Sequence, residues 1–585
     1  MFYHKNNRFG SLRMSGTIII NRSTRSIALW GTILKSGIFG NKSREQTETK
    51  HLNTMKKIVM LLLAAINTVA GMGQIVREFK IDKQYLNFPV EMKQDRLMVH
   101  FLLNTDTLTY SVIRIAAGTP DYWVFKDVSA DKGKTLKLVF ARDVAGLQKI
   151  YQSDAFAGQD SLYKESKRPQ FHFSSRRGWN NDPNGLVYFD GEYHLFYQHN
   201  PFEIHWENMT WGHAVSPDLI HWTELNDALY PDRLGTMFSG SAVIDKNNTA
   251  GWGKNAMIAA YTADKKGAEV QCIAYSNDNG RTFTKYDGNP VVGPDRDPKV
   301  IWYEPNQEWV MALYEVAGIS FYTSKNLKDW KKESHINGFY ECPELFELPV
   351  DGNPEKTLWV AYGGSGTYLL GDFNGKVFTP RYGKYRYTYG NHYAAQTYND
   401  TPDGKRIQIG WGTIESKGMP FNQMMCFPTE LTLRTTNEGI RIFSEPIKAI
   451  EKLHVNKLDL TGLSVTEANR KLSENKGELL HVVARLESLD GKGISIDFQG
   501  NRYARMDADE INEVQTAQPN PGSLVFEVEL LIDRTSVEAF FQKGQIVFVK
   551  PLADAKKDTG LEILGDANNI KIHKLEVYEL KSIWK

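Results

Sequence analysis

The sequence predicts an all-β protein: a five-bladed β-propeller, a β-sandwich after it, and a small β-domain before it. Short aromatic and β-branched runs, separated by Gly, Asn, Asp and Pro, follow residue 75, where long helical periodicity is almost absent. A loose repeat runs from about residue 170 to about 440, at a spacing of about 50 residues that is typical of propeller blades. After about residue 450 the repeat stops, and strands alternate with tight turns as in a sandwich.

The repeat consists of an apolar strand followed by a turn rich in Ser, Asp, Asn and aromatic residues. Three turns share this pattern, and two further strands of the same kind bring the count to five, the number of blades we expect. The alternative is chance similarity between common turn residues. Three similar turns, each preceded by a matching strand, make that alternative the lesser one. The turns are 216–222, 276–283 and 324–330, and the strands are 195–197, 258–261, 311–314, 358–362 and 407–411.

These patterns divide most of the chain into three β-rich parts. We expect a small N-terminal β-sandwich-like domain at 75–165, the propeller at 170–445 and the C-terminal sandwich at 450–585. In the last part the clearest strand is expected at 530–541, after which Lys543 and Gly544 turn the chain into a further strand.

The segment 55–74 has the layout of a secretory signal peptide: Met55, two lysines, an apolar run and then small residues. The apolar run is too short to span a bilayer, which takes about 20 residues. We therefore expect translation to start at Met55, with 1–54 as mistranslated upstream sequence; a basic, unstructured arm is the alternative. No Cys follows the run closely, so we expect a periplasmic or secreted protein without a lipid anchor.

The composition argues against several classes of partner. Lys and Arg total 70 against 69 Asp and Glu, so no basic excess indicates nucleic acid or an anionic membrane surface. Aromatic residues make up 12%, which suits a β-rich core first and flat sugar-binding faces second. Cys272, Cys342 and Cys426 lack CxxC spacing, so neither a full disulfide framework nor a zinc site is predicted.

Three short motifs hold carboxylates in defined settings. In GWNNDPNG, Asp182 stands between Asn181 and Pro183, where proline restricts the backbone and the amides can hydrogen-bond around the acid. In DRDP, Arg296 beside Asp297 offers donors and acceptors that suit adjacent hydroxyl groups. Each motif has a plainer interpretation, a surface turn for the first and a salt-bridged loop for the second.

The third motif, YECPE, places Glu341 among aromatic and apolar residues before a strand. Burial beside other carboxylates would suit a general acid, and a buried glutamate paired with an arginine is the alternative. Two carboxyl groups flanking one bond are the requirement of glycoside hydrolysis.

Taken in order, the motifs resemble glycoside hydrolase family 32, the invertases, inulinases and levanases, over about 170–580. The resemblance implies a retaining hydrolase of fructans with Asp182 as nucleophile, Glu341 as acid/base and Asp297 as stabiliser of the transition state. The residues that it implies for substrate binding are Asn181, Gln198, Trp206, Phe238, Ser239 and Arg296. A metal and a cofactor are not expected, and we expect a monomer.

The chain departs from the family pattern in places. Asn180 replaces an apolar residue, Glu344 stands where Asp is usual, and Thr429 replaces an Arg; the first two are expected to adjoin the pocket. His194, His199, His205, His213 and His221 cluster in the sequence, but no HExxH-like spacing supports a metal site.

Several functions share all or some of these residues, a pentose-polymer glycosidase only the three carboxylates. A propeller glycosidase for arabinose or xylose polymers, a fructosyltransferase and a non-catalytic fructan-binding protein are the alternatives to an exo-acting β-fructosidase, together with an endo-levanase. The sequence leaves open the choice between exo and endo action and between β-2,1 and β-2,6 linkages.

Overall fold

A computed structural model of the protein describes residues 74–104, 106–515 and 524–584. The predicted upstream segment 1–54 and the predicted signal peptide, Gln74 apart, lie outside the described residues. Across the described ranges β-strands are the main secondary structure and helices are few and short, as predicted. None of the helices in those ranges has the length and apolar character that crossing a membrane requires.

The N-terminal β-domain consists of two antiparallel sheets, with strand orders β1-β6-β3-β4 and β5-β2-β7. Its core is aromatic and aliphatic, and it includes Phe202 from the segment that follows the first two propeller strands. The strands are β1 (Ile75–Lys80), β2 (Tyr85–Val90), β3 (Leu97–Leu103), β4 (Asp106–Ile113), β5 (Tyr122–Asp127), β6 (Thr135–Phe140) and β7 (Tyr151–Ser153). Short 3-10 helices cover Ser129–Asp131, Leu147–Lys149 and Gln159–Ser161.

Four propeller blades are antiparallel sheets in which consecutive strands pair in sequence order. The first blade is β8 (Gly178–Phe189), β9 (Glu192–Asn200), β10 (Thr210–Ser216) and β11 (Thr223–Glu224). The second is β12 (Thr236–Asp245), β13 (Ala256–Lys265), β14 (Ala268–Ser276) and β15 (Thr284–Lys285). The third is β16 (Arg296–Tyr303), β17 (Glu308–Glu315), β18 (Gly318–Ser324) and β19 (Lys331–Asn337), with a 3-10 turn at Glu304–Asn306. The fourth is β20 (Glu344–Val350), β21 (Asn353–Gly363), β22 (Thr367–Phe373) and β23 (Phe378–Arg386).

Strand β24 (Thr388–Gly390) pairs with the C-terminal sandwich, and the chain then returns to form the fifth blade. That blade contains β25 (His392–Thr397), β26 (Arg406–Gly412), β28 (Met424–Met425), β29 (Thr429–Thr436) and β30 (Gly439–Pro446), while β27 (Phe421–Asn422) pairs with β8. The first strands of the first four blades contact one another in order, and β25 contacts β8. Thr397 of β25 donates a hydrogen bond to Glu344 of β20, so the ring closes around a central axis.

The repeat found in the sequence corresponds to the blades. Its five apolar segments lie in β9, β13, β17, β21 and β26, the second strand of each blade. Its three turns begin at Ser216, Ser276 and Ser324, each the last residue of a third strand. Each serine hydroxyl accepts the backbone N–H two residues later at 3.2–3.3 Å, which explains why the turns share a serine.

Two sheets form the C-terminal sandwich, with strand orders β24-β39-β38-β37-β32-β41-β31 and β36-β35-β34-β33-β40. The chain enters it through a 3-10 helix at Lys448–Leu453. Its strands are β31 (His454–Asp459), β32 (Leu480–Ser488), β33 (Ile494–Phe498), β34 (Asn501–Met506), β35 (Glu510–Ile511), β36 (Val514–Gln515), β37 (Leu524–Ile532), β38 (Ser536–Phe541), β39 (Ile546–Pro551), β40 (Leu561–Leu564) and β41 (Ile570–Leu580). Among the described residues the one α-helix is α1 (Val465–Glu474), which Ser464 caps by accepting the N–H of Glu467.

The single strand predicted at 530–541 is wrong, because the chain turns at Asp533 between β37 and β38. The Asp533 carboxylate is fully buried and accepts the backbone N–H groups of Gln170 and Phe171. It also pairs with His172 Nδ1 at 2.8 Å. A buried carboxylate requires such partners, and satisfying them with the start of the propeller segment bends the strand.

Candidate active site

Four of the five innermost strands carry the same irregularity, a β-bulge with one extra residue. The register shifts between Asn180 and Pro183 in β8, between Met237 and Gly240 in β12, between Arg296 and Lys299 in β16, and between Tyr393 and Gln396 in β25. A bulge of this kind leaves residues unpaired and redirects their side chains. The bulges contain Asp182, Ser239 and Asp297, so this backbone feature presents the predicted site residues.

The Asp182 carboxylate is half-buried and receives donors from two sides. Asn181 Nδ2 donates to Oδ1 at 3.1 Å, and Ser239 Oγ donates to Oδ2 at 2.7 Å. Burial raises the pKa of Asp182, the hydrogen bonds from Ser239 and Asn181 oppose that rise, and the charge of Glu341 adds to it. The two donors favour the ionised form, which a nucleophile requires.

Asp297 is more deeply buried, with 5% of its surface exposed. Its backbone is left-handed, at φ 64°, and its N–H donates to Thr262 Oγ1 at 2.9 Å. Burial and the nearby charge of Asp182 raise the pKa of Asp297 to about 7. Asp297 can therefore act both as a donor and as an acceptor near neutral pH.

Cys342 connects the two aspartates. Its backbone N–H donates to Asp297 Oδ2 at 3.0 Å, and its thiol lies 3.6 Å from Oδ2 of Asp182 and 3.6 Å from Oδ2 of Asp297. Burial raises the pKa of the thiol, so Cys342 is a neutral donor here. Glu341 and Cys342 both have positive φ, at 49° and 43°, an uncommon backbone for such residues that is concentrated at functional sites.

Glu341 receives one donor on each carboxylate oxygen. Arg296 Nη2 donates to Oε1 at 2.6 Å, and the Tyr393 hydroxyl donates to Oε2 at 2.7 Å. Arg296 also donates to both oxygens of Glu269, at 3.0 and 3.1 Å. Its nearest contact with Asp297 is longer, 3.9 Å from Nε. Arg296 therefore orients Glu341 more directly than it orients Asp297.

The predicted substrate-binding residues differ in how deeply they are buried. Trp206 is 54% exposed, and its ring meets the ring of Phe238 edge-on at 5.8 Å. Asn181 links Asp182 to Trp179, whose indole N–H donates to Asn181 at 2.8 Å. Gln198 is 2% exposed, and its amide donates to the Met237 carbonyl at 2.9 Å, which places it behind the β12 bulge.

The structure changes the expectation that the side chains of Asn180 and Glu344 adjoin the pocket. Glu344 is fully buried and does not line the pocket: it accepts from Thr397 and pairs with Lys299 at 2.9 Å, which joins β20, β25 and β16. Asn180 is also fully buried. Because both side chains are buried, neither is presented to a substrate.

Sequence reasoning missed Tyr393 and Glu269, and it gave Cys342 no separate role. The position of Cys342 next to Glu341 was a usable signal. Glu269 lies in the second blade and Tyr393 in the fifth, while Glu341 lies between the third and the fourth. Only the closed ring therefore brings Tyr393 to Glu341 and Glu269 to Arg296. The exposed ring of Tyr340, 52% accessible, adds a second aromatic surface beside Glu341.

The clustered histidines have other partners. His194 and His213 hydrogen-bond to each other at 3.0 Å, His199 pairs with Asp227 at 2.8 Å, and His221 pairs with Asp218 at 3.1 Å. Across residues 74–104, 106–515 and 524–584, no group of three or more His, Cys, Asp or Glu is placed to hold a metal ion.

Comparison with known proteins gives a consistent result. Residues 172–446 match the model of the glycosyl hydrolases family 32 N-terminal domain. The chain is 38% identical over 498 residues to a levanase of Bacillus subtilis (strain 168), covering 74% of this chain and 73% of the levanase. It is 31% identical over 518 residues to a levanbiose-producing levanase of the same strain, covering 78% and 99%.

Among solved structures, an exo-inulinase of Aspergillus awamori superposes with a TM-score of 0.61 at 27% identity, covering 72% of this chain and 100% of the inulinase. The propeller and sandwich described above and the extent of these matches lead to one conclusion. The chain belongs to glycoside hydrolase family 32 and is a glycosidase.

Proposed function

We propose that this protein hydrolyses β-fructofuranosyl bonds in fructans, releasing fructose from chain ends with retention of configuration. The supporting observation is the junction at Cys342, where Asp182 and Asp297 share one neighbour next to Glu341. The similarity to a levanase and an exo-inulinase supports fructans as the substrate class. Levan, inulin and fructo-oligosaccharides are the candidates, with sucrose as a further one.

In the first step, a carboxylate oxygen of Asp182 attacks C2 of the terminal fructofuranosyl unit. The bond from C2 to the leaving oxygen breaks, its electron pair goes to that oxygen, and Glu341 supplies the proton. Arg296 and Tyr393 hold the two oxygens of Glu341 in one orientation, so the acid is positioned before substrate binds.

In the second step, Glu341 takes a proton from water, the water oxygen bonds to C2, and Asp182 leaves as a carboxylate. Asp297 accepts or donates hydrogen bonds to fructosyl hydroxyl groups through both steps, in keeping with its pKa of about 7. A retaining site requires the two reacting carboxyl groups to lie roughly 5–5.5 Å apart, and we expect this of Asp182 and Glu341.

The product profile tests the proposal. Protein starting at Gln74 is incubated with sucrose, inulin and levan, and Asp182→Asn serves as the control for a contaminating activity. Fructose as the sole early product supports exo action, and the relative rates name the preferred linkage. Methanol added as an acceptor should yield the methyl β-fructofuranoside if configuration is retained.

A second candidate is release of a disaccharide from levan, favoured by the similarity to a levanbiose-producing levanase. A ladder of oligosaccharides or accumulation of levanbiose would support that candidate instead. Release of nothing from all three substrates would contradict the fructan proposal, and activity on arabinose or xylose polymers would then be tested. Net transfer to a sugar acceptor at high sucrose would indicate a transferase.

The proposal also covers the location, the oligomeric state and the domain limits of the protein. We propose export to the periplasm or the medium, a monomeric state, and three domains at 75–165, 170–445 and 450–585. The match of residues 172–446 to the family model supports the second of these limits. Fractionation of cells and light scattering of the purified protein test the first two statements.

A further inference from the structure

The segment between β9 and β10, residues 201–209, connects the candidate site to the N-terminal β-domain. Trp206 lies in this segment with 54% of its surface exposed, against the edge of Phe238. Phe238 precedes Ser239, the hydroxyl donor to Asp182. Trp206 therefore contacts strand β12 through Phe238. The carbonyls of Ile204 and His205, just before it, accept hydrogen bonds from Asn422 and Asn200 of the propeller. The two arms of the segment, on either side of these residues, contact the N-terminal β-domain.

The first arm is anchored by packing. Phe202 is 5% exposed and inserts among the core side chains of the N-terminal β-domain. Its ring lies 5.4 Å from Phe88 and 5.7 Å from Phe101. The next residue, Glu203, is fully buried and forms an ion pair with Arg114, directly after β4. A buried charge of this kind depends on its partner, so the pair is sensitive to loss of either member.

The second arm is anchored by hydrogen bonds. Asn208 accepts the Val112 N–H and donates to the Val112 carbonyl, both at 2.7 Å, so its amide pairs with β4. Asn208 has φ 54°, a left-handed backbone that asparagine tolerates better than most residues. Its neighbour Glu207 pairs with Arg96 of the same domain at 3.0 Å. Met209 then accepts the N–H of Met237 in the bulged strand.

We infer that the N-terminal β-domain positions Trp206 for binding a sugar unit of the fructan. Both arms of 201–209 are attached to that domain, and the exposed indole between them is held at one place beside the site. An exposed aromatic face on an anchored segment suits the C–H face of a furanose ring at a small cost in conformational entropy. The inference rests on the proposed function, because it assigns the domain a role in binding that substrate.

The test is a double-mutant cycle between Arg114 and Trp206, measured as KM and kcat on the fructan that wild type hydrolyses best. Trp206→Ala should raise KM roughly 3- to 10-fold. Arg114→Ala should raise KM by a similar factor with kcat changed less than about twofold, and Arg114→Lys should restore most of it. In the double variant the two factors should not multiply, because Arg114 acts through Trp206.

Arg142→Ala is the matched control: Arg142 belongs to the same domain and forms an exposed pair with Asp95, so KM should stay at the wild-type value. If Arg114→Ala does not fold, Phe202→Leu is taken through the same cycle. Multiplying factors in the double variant, or a wild-type KM in a folded Arg114→Ala protein, would overturn the inference alone. A wild type inactive on every fructan would overturn the proposed function and this inference with it.

Discussion

Ser239 donates a 2.7 Å hydrogen bond to Asp182, and each residue lies in the bulge of its own inner strand. The contact forms because the bulges of β8 and β12, the first strands of two neighbouring blades, lie side by side. Removing the hydroxyl of Ser239 should therefore affect Asp182, the proposed nucleophile, without altering the blade core.

We expect Ser239→Ala to lower kcat roughly 10- to 100-fold, as loss of a hydrogen bond to a charged group costs about 1.5–3 kcal/mol. The hydroxyl lowers the pKa of Asp182, so its loss should raise that pKa further. The acidic limb of the kcat/KM profile should move to higher pH, since Asp182 must be ionised to attack. Ser334→Ala, which removes a hydroxyl from the third blade, should leave the profile unchanged. An unshifted acidic limb would argue against Asp182 as the nucleophile.

The loss of rate on replacing Glu341, the proposed general acid, should depend on the leaving group of the substrate. Glu341→Gln should lower kcat on fructans about 10²- to 10⁴-fold, the usual contribution of general acid catalysis. On fructosyl fluoride, whose leaving group needs no proton, the loss of the first step should be much smaller. The kcat/KM values on the two substrates measure this difference, because they report the first step and exclude hydrolysis of the intermediate, which also requires Glu341. Equal losses of kcat/KM on both substrates would mean that Glu341 does not protonate the leaving oxygen.

Asp297 should make stability depend on pH. Its pKa is about 7 in the folded protein, while an unfolded Asp has a pKa of about 3.9. The stability that this proton contributes is fully present below about pH 4 and is lost as pH rises through 7. Asp297→Asn removes the titration, so its free energy of unfolding should fall less between pH 4 and 7 than that of wild type. Urea unfolding at several pH values measures both slopes; parallel slopes would contradict the assignment.

The buried cluster that joins the propeller to the sandwich should respond to pH in a second window. Burial opposes a charge on His172, but Glu538 and Asp533 raise its pKa to about 9. This stability is fully present below about pH 6.5 and is lost as pH rises through 9. Asp533→Asn removes the charged partner of His172 Nδ1 and leaves Glu538 as the one remaining carboxylate partner, so we expect it to cost about 3 kcal/mol at pH 6.

Thermal unfolding at pH 6 and pH 10 tests this expectation. The difference between wild type and Asp533→Asn should shrink at the higher pH, where His172 is neutral in both proteins. Asp490→Asn, in an exposed turn of the same sandwich, is the control and should change the unfolding temperature little at either pH. A difference that stays constant with pH would show that the His172 charge is not involved.

Local pattern was enough to predict the blades. Continuous apolar runs such as 258–261 and serine turns such as the one at Ser276 encode strands and their ends through contacts a few residues apart. The same locality explains the failure at Asp533. Its partners Gln170 and His172 are more than 360 residues away in sequence, so no local pattern signals the turn.

For the candidate site, the sequence by itself determined which carboxylates were available and, through family motifs, which three to choose: Asp182, Asp297 and Glu341. Only the tertiary structure decided what surrounds them. The Tyr393 donor and the Arg296 contact with Glu341 in preference to Asp297 both depend on which blades become neighbours. Ring closure is driven by burial of the blade faces, which is a long-range packing effect. The local sequence around each of these side chains therefore does not indicate which side chains become its partners.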